Sequence, residues 1–282
     1  STELHQTYNH NTSSTMLIMQ FHALQFDAQI NDVKVNRKTV ESMCNSLPLQ
    51  GNDFIVLQEM TDTGWSMDIE AVGEHDTLDW ATKISQSHNA WVQVGFAKSN
   101  GKRGTNCVSI CSPSGNVIAT YEKTYTCNPF GENDTYDCGD TLKIVEIDGY
   151  RICPMICYDT RFPELWRLAA LEGVDVFTVS SSWPLARIEQ WKGLLVGRAI
   201  ENQAALVASN RIGTDAIAPW GGMSLIISNQ GAVIEDASLD CEEAISAEID
   251  LDVITEWKKA FPVFNDVKRD LLGKMRVETI LP

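Results

Sequence analysis

Apolar and polar positions alternate along this chain in short runs, with a period that switches between that of a strand and that of a helix. MLIMQFHALQ (16–25) predicts a buried strand, and VNRKTVESMCNSL (35–47) has helical periodicity. DFIVLQE (53–59) is a short apolar run that stops at the carboxylate of Glu59, as a buried strand ending there would. TLDWATKISQSH (77–88) predicts a helix, and AWVQVGFAK (90–98) alternates as a strand does. NCVSICS (106–112) and NVIATYEK (116–123) flank the turn-forming Pro113-Ser114-Gly115, so a hairpin ending at Lys123 is expected. TLKIVEI (141–147) and YRICPMIC (150–157) pair as a second hairpin across Asp148-Gly149.

Further along, PELWRLAALEG (163–173) places Pro163 at a suitable first helical position and Gly173 at the stop. VDVFTVSSS (174–182) is a buried strand, ARIEQWKGLLVGRAIENQ (186–203) a longer helix and ALVASN (205–210) another strand. GMSLIISNQGAVIEDA (222–237) forms a hairpin turning at Asn229-Gln230-Gly231, and EAISAEID (243–250) closes the strands before a polar helical tail. Between these elements TYTCNPFGENDTYDCGD (124–140) has almost no periodicity and reads as a long loop of the kind that carries function.

Strands alternate with helices in part, but hairpins intrude, so an α/β chain with mixed sheets is expected. Two helical layers covering two such sheets would bury all the apolar strands. No internal repeat, low-complexity tract or Pro/Ser-rich linker divides the chain, and residues 16–282 read as a single domain. The first fifteen residues, STELHQTYNHNTSST, are polar and lack the apolar core of a signal peptide. They read as a disordered arm or a vector-derived remnant.

Composition narrows the function. At 282 residues, 44% hydrophobic and 21% charged, the chain is an ordinary globular one. Its formal charge of −16 repels phosphate backbones and anionic membrane surfaces, so neither nucleic acid nor membrane is an expected partner. No apolar run approaches the roughly 18 residues of a membrane span. Eight cysteines permit disulfides, but a chain of this size without an export signal points to reduced thiols and the cytoplasm. Cys107/Cys111 and Cys153/Cys157 share a four-residue spacing in strand-like runs. On a strand such residues lie roughly 13 Å apart, too far to share one tetrahedral metal, so no metal is expected.

Cys157 has a distinctive position, at the junction of a buried strand and a helix. Side chains there sit at the carboxyl edge of a sheet, the usual place for sites in α/β folds. The helix start is expected to lower the thiol's pKa and favour the thiolate. Cys153, back in the strand body, is expected to be a core thiol. The five histidines (His5, His10, His22, His75 and His88) include none with an obvious orienting acid. A buried carboxylate can serve as the base, since desolvation raises its pKa, and Glu59 fits that description. Acyl transfer also needs a cation for the developing oxyanion, and Lys123 ends its strand as Glu59 and Cys157 end theirs.

QEM around Glu59, YEKTYT around Lys123 and ICYDTRFPELWR around Cys157 resemble the three motifs of the nitrilase (carbon–nitrogen hydrolase) superfamily. SSSWP (180–184) and GRAIENQAALVASNRIG (197–213) extend the likeness, which is greatest to the omega-amidase-like branch. The resemblance implies a four-layer αββα sandwich, usually dimeric, with no metal or organic cofactor. It implies that Cys157 is the nucleophile, Glu59 the general base and Lys123 the oxyanion stabiliser, helped by the backbone N–H of Tyr158. Glu132 best matches a further glutamate of the family that orients the lysine or the leaving amine.

The expected reaction is hydrolysis of a small linear amide, such as an omega-amide of a dicarboxylic acid, through a cysteine thioester. The alternatives are N-carbamoyl or nitrile hydrolysis, or a catalytically silent binding protein of the same fold. Arg161 has two readings, as a partner of a substrate carboxylate or as a buried partner of Glu164 or Asp159, the latter preferred. Trp183 either walls the acyl pocket or packs in the core. Trp191 and Arg198, seven apart on one helix, are expected to serve packing or a dimer contact. Two positions depart from the family pattern: Tyr125 stands where the lysine motif often has histidine, and Met60 follows Glu59.

Overall fold

The structure is a computed structural model describing residues 18–73, 75–276, 278 and 279. The expected arm, residues 1–15, lies outside the described residues.

Two sheets account for most strands. In chain order the first holds β1 (Ile18–Gln25), β2 (Asp53–Val56), β3 (Trp91–Ser99), β4 (Gly104–Cys111), β5 (Val117–Glu122) and β6 (Tyr136–Asp137). The second holds β7 (Val145–Ile147), β8 (Tyr150–Ile156), β9 (Val176–Ser181) and β10 (Ala205–Asn210). A separate ribbon pairs β11 (Ile212–Thr214) with β12 (Pro219–Gly221). Next, β13 (Leu225–Ile227) and β14 (Val233–Asp236) rejoin the second sheet, and β15 (Glu243–Asp250) returns to the first. Their spatial orders are β15-β1-β2-β3-β4-β5, with β6 beside β4, and β14-β13-β10-β9-β8-β7. Parallel pairs (β1/β2/β3 and β8/β9/β10) sit among antiparallel hairpins, so both sheets are mixed as expected.

Alternation along the strands builds the layers. Met19 and Phe21 of β1, Phe54 and Val56 of β2, and Val176 and Val207 of the second sheet fill the space between the sheets. The next residues along, Ile55, Val92 and Val94, face outward onto α1 (Val33–Asn45) and α3 (Thr77–His88) through Val40, Trp80 and Ile84. On the other side Phe177, Val179 and Leu206 pack under α5 (Pro163–Leu171) and α6 (Ile188–Asn202) through Trp166, Trp191 and Leu195. The central strands thus bury both faces, and the αββα sandwich is the result.

Turn chemistry sets the ends of several elements. The side chain of Asp32 accepts the Val35 N–H and starts α1. Asn89, in the left-handed region at φ 50°, ends α3. Asp148 and Gly149, at φ 48° and 89°, make the tight β7–β8 hairpin. The polar tail begins with α7 (Leu251–Ala260), whose first turn Asp250 caps.

Two expectations are corrected. Segment 124–140 is not structureless: it contains a short 3₁₀ turn (Asn128–Phe130), the helix α4 (Glu132–Thr135) and β6. These elements are too brief to show a period. The strand expected to run to Glu59 ends at Val56; the Leu57 N–H still reaches the Gln93 carbonyl at 3.0 Å, and Gln58 and Glu59 carry the chain beyond the sheet edge. The short α2 (Ile69–Gly73) and the β11–β12 ribbon had no periodic signal.

One polar cluster is part of the first sheet. His22 in β1 bonds Ser246 of β15 through Nδ1 (2.7 Å) and Asp53 of β2 through Nε2 (3.1 Å). Asp53 also accepts the N–H groups of Gln50 and Gly51. The cluster clips three adjacent strands together, and burial holds the imidazole below its ordinary pKa, against the opposing pull of Asp53.

Candidate active site

Five strands deliver side chains or backbone to one place at their carboxyl ends. Glu59 follows β2, Lys123 follows β5 directly, Cys157 follows β8, Ser182 and Trp183 follow β9, and Asn210 ends β10. Glu59 and Lys123 therefore come from one sheet, and Cys157 and Ser182 from the other. The site lies where the carboxyl edges of both sheets meet.

The charged groups form one network. Lys123 Nζ lies 2.7 Å from Glu59 Oε1, and 2.9 and 2.8 Å from the two carboxylate oxygens of Glu132. All three side chains are fully buried. Asn106 Nδ2 donates to both glutamates at 2.8 Å, Ser182 N–H to Glu59 Oε2 at 3.0 Å, and Cys127 N–H to Glu132 Oε2 at 2.6 Å. Two carboxylates thus share one ammonium, and neutral donors hold the rest of their lone pairs.

Burial pushes Glu59 above the ordinary glutamate range, with Glu132 adding repulsion and Lys123 opposing it. Burial pulls Lys123 down, yet Glu132, Glu59 and Cys157 outweigh it and hold the ammonium well above its ordinary pKa. Lys123 is thus a fixed cation beside a carboxyl group of raised pKa.

Cys157 is 7% exposed and has φ 37°, in the left-handed region that a side-chain-bearing residue adopts only under constraint. It opens a five-residue 3₁₀ turn (Cys157–Arg161), and α5 starts only at Pro163. The expected lowering of its pKa is not found. Burial raises the thiol well above its usual value, Glu59 adds to the rise and Lys123 opposes it. One short turn offers little dipole against full desolvation. The resting group is a thiol, and its Sγ lies 3.7 Å from the Ser182 carbonyl oxygen.

Asp159 fixes this turn against the lysine strand. Its carboxylate accepts the Tyr125 N–H at 2.9 Å, the Tyr121 hydroxyl at 2.8 Å and the Ile156 N–H at 3.2 Å. Burial pushes its pKa up to about 7. Cys153, by contrast, packs in the helix-covered core of the second sheet, its thiol raised by burial beyond the usual range.

A cavity of about 300 Å³ opens onto Lys123 and Cys157. Trp183 and Tyr158 line one part of it; Trp65, Phe130 and Trp220 line another. Trp183 therefore both walls the cavity and packs, its ring 5.4 Å from that of Trp191. The preferred reading of Arg161 is corrected. Its guanidinium lies 4.7 Å from the Trp183 ring centre and bonds Gln190, and it makes no ion pair among the described residues. Glu164 is exposed to solvent, and Asp159 is bonded to other groups, so neither is its partner. Trp191 and Arg198 are buried, Arg198 bonded to Glu201 and to the Thr160 carbonyl, so both serve packing.

The two departures from the family pattern lie outside the cavity lining. Tyr125 stacks on Phe162 at 3.6 Å between ring centres, and Met60 packs with Trp65 and Trp220. Among the described residues, no three His, Cys, Asp or Glu side chains gather as ligands for a metal ion.

Sequence reading missed Asn106, although a signal existed. Hairpin register pairs Cys107 with Glu122, so Asn106 lies opposite Lys123 as a polar residue at a buried strand position. It also missed Gly95 of β3. A Cβ there would lie 2.5 Å from the Gln58 oxygen and 2.9 Å from the Glu59 Cα, so only glycine lets the Glu59 segment pass.

Comparison with known proteins agrees with this geometry. The carbon–nitrogen hydrolase family model matches residues 23–259. The chain belongs to the carbon–nitrogen hydrolase family. Among its relatives, the 2-oxoglutaramate amidase of Bacillus subtilis is 31% identical, over 88% of this chain and 97% of the relative. Omega-amidase YafV of Escherichia coli is 33% identical, over 77% of this chain and 85% of the relative. Among solved structures, a CN-hydrolase superfamily protein of Xanthomonas campestris, with an arsenic adduct in its active site, superposes with a TM-score of 0.82. It is 25% identical, and the match covers 89% of this chain and 97% of that one. Saccharomyces cerevisiae Nit3, of the nitrilase superfamily, shares the fold at a TM-score of 0.78 and 20% identity, over 87% of this chain and 95% of that one. This carbon–nitrogen hydrolase thus has the αββα fold of the nitrilase superfamily.

Proposed function

We propose that this carbon–nitrogen hydrolase is an amidase that releases ammonia from a small linear amide, an omega-amide of a dicarboxylic acid. The observation that carries the reading is the fully buried Glu59–Lys123–Glu132 cluster facing a strained thiol at the floor of a cavity. The names of its amidase relatives support the substrate class.

In this reading the Cys157 thiol attacks the amide carbonyl carbon while its proton passes to Glu59, whose raised pKa suits that transfer. The carbonyl π electrons move onto oxygen, where the Lys123 ammonium and the Tyr158 N–H stabilise the negative charge. Glu59 returns the proton to nitrogen, the C–N bond breaks, and ammonia leaves a thioester. Water then gives a proton to Glu59, attacks the thioester carbonyl and releases the acid, and the thiol recovers its proton. Glu132 keeps Lys123 charged and fixed through both steps. A thiol that ionises only on attack accords with the raised pKa of Cys157. Trp183 and Arg161 bind the substrate, the first as a wall and the second as a partner for its free carboxylate.

Residues 16–282 act as one domain in this proposal. Ile200, Phe261 and Leu272, all exposed, line one surface groove and support a homodimer. Eight free cysteines support a reducing, cytoplasmic setting.

The test is ammonia release from a panel of monoamides, nitriles and N-carbamoyl amino acids by wild type and Cys157→Ala. Cysteine-dependent turnover of dicarboxylic monoamides is expected. Turnover confined to nitriles or carbamoyl compounds would replace the substrate class, and silence on the whole panel would leave a binding protein.

A further inference from the structure

We propose that Arg187 is a specificity-determining residue: with Arg161 it clamps a 2-oxo acid end of the substrate and rejects the matching 2-ammonium acid. The inference rests on the amidase reading and concerns the end of the substrate remote from Cys157.

Arg187 stands over Phe130, its guanidinium carbon 5.5 Å from the ring centre, whereas Arg161 stands over Trp183 at 4.7 Å. Both line the same cavity as Cys157 and both are half-buried. Among the described residues neither holds a carboxylate. Arg37, Arg103, Arg151, Arg198 and Arg211 each do. Two guanidinium groups are thus held on aromatic walls with donors to spare, in a protein of formal charge −16.

The backbone under Arg187 is fixed. Its N–H donates to the Pro184 carbonyl at 3.0 Å, and its own carbonyl accepts the Trp183 indole N–H at 2.9 Å. The side chain therefore starts from the same wall that Arg161 covers.

Charge sets the orientation and the selectivity. Behind the floor, which Lys123 and Cys157 line, lie the two carboxylates bound to that one ammonium, so an anionic substrate end is repelled from the cluster and settles at the arginines. A lone carboxylate occupies one guanidinium fork. A 2-oxo acid adds a ketone oxygen beside the carboxylate and supplies an acceptor for the second. A 2-ammonium group in that place would face two cations, and no Asp or Glu is among the residues lining the cavity. Its hydration would be lost without replacement.

The experiment compares kcat/KM of wild type, Arg187→Gln, Arg187→Lys and Arg161→Gln on 2-oxoglutaramate, glutaric acid monoamide and glutamine. Wild type is expected to rank them in that order. Arg187→Gln should lower kcat/KM for 2-oxoglutaramate about 10–100-fold, mainly through KM, and flatten its preference over glutaric acid monoamide. Arg187→Lys should recover part of the loss, and Arg161→Gln should weaken 2-oxoglutaramate and glutaric acid monoamide together. An equal loss on 2-oxoglutaramate and glutaric acid monoamide in Arg187→Gln, or no loss, overturns the clamp while leaving the amidase reading intact. Calorimetric binding of 2-oxoglutarate to Cys157→Ala, with and without Arg187→Gln, reads the clamp independently of turnover. A Kd weaker by about 10–100-fold is expected, and an unchanged Kd overturns the clamp even where no amide is hydrolysed.

Discussion

Two buried polar clusters occupy the first sheet, and they are built to opposite ends. His22, Asp53 and Ser246 join three neighbouring strands within one sheet, and one carboxylate there meets a histidine that burial keeps below its ordinary pKa. Glu59, Lys123 and Glu132 sit beyond the strand ends, bridge to Ser182 of the other sheet, and hold two carboxylates on one ammonium. In the first cluster the single carboxylate is held by the N–H groups of Gln50 and Gly51 as well as by the imidazole, and the cluster works as a clip. The second carries surplus negative charge, next to a thiol and a cavity. What separates the two is the thiol and the space for a substrate beside the second, which the proposed role of Glu59 as a base requires.

The largest effects are expected at the residues beside the second cluster. Cys157→Ala should lower amide hydrolysis by at least about 10³-fold, whereas Cys153→Ala, a change in the core four residues earlier, should leave kcat near wild type. Ammonia release reads both. Gly95→Ala should cost about 100-fold in kcat/KM by displacing Glu59, a loss that a distant packing defect would not produce.

Stability separates the clusters next. Lys123→Met leaves two buried carboxylates without their cation and should cost roughly 3–5 kcal/mol in urea unfolding, with activity lost. His22→Ala should cost about 1–3 kcal/mol, with kcat/KM within about twofold of wild type. Comparable loss of activity in both variants would erase the distinction.

The smallest effects are in pH dependence. In the proposed mechanism Glu59 acts when ionised, and its pKa is raised, so the acid limb of kcat/KM should lie above the ordinary glutamate value of 4.5. Asp159 titrates at about 7 when folded against an ordinary 3.8, so between those values the unfolded chain binds fewer protons. Its contribution to stability therefore falls as pH rises from about 4 to 7. His22 has the opposite sign. Its folded pKa is lowered, so its contribution is present above 6.5 and is lost as pH falls below that value. Urea unfolding across pH should show Asp159→Asn removing the first slope and His22→Gln the second.

Much of the fold was legible in the chain. Doubly buried strands read as continuous apolar runs, and Pro, Gly and Asp-Gly punctuation placed the hairpins. Glu59, Lys123 and Cys157 stood out because each ends such a run, and Glu132 was found through the family pattern within an aperiodic segment. What was not legible depends on register and on close approach. Asn106 reaches both glutamates only because β4 pairs with β5 in one register. The role of Gly95 comes from the backbone of another strand passing against it. The protonation of Cys157 depends on how completely the fold desolvates it, which a strand-to-helix junction does not reveal.

The most direct test of the site is acid quench of wild type during turnover of a dicarboxylic monoamide, with intact and peptide mass spectrometry of the quenched protein. A mass increase equal to the substrate minus ammonia, located on Cys157, is predicted. The same adduct on Cys127 or Cys153, or rapid turnover with Cys157 never acylated, would contradict it.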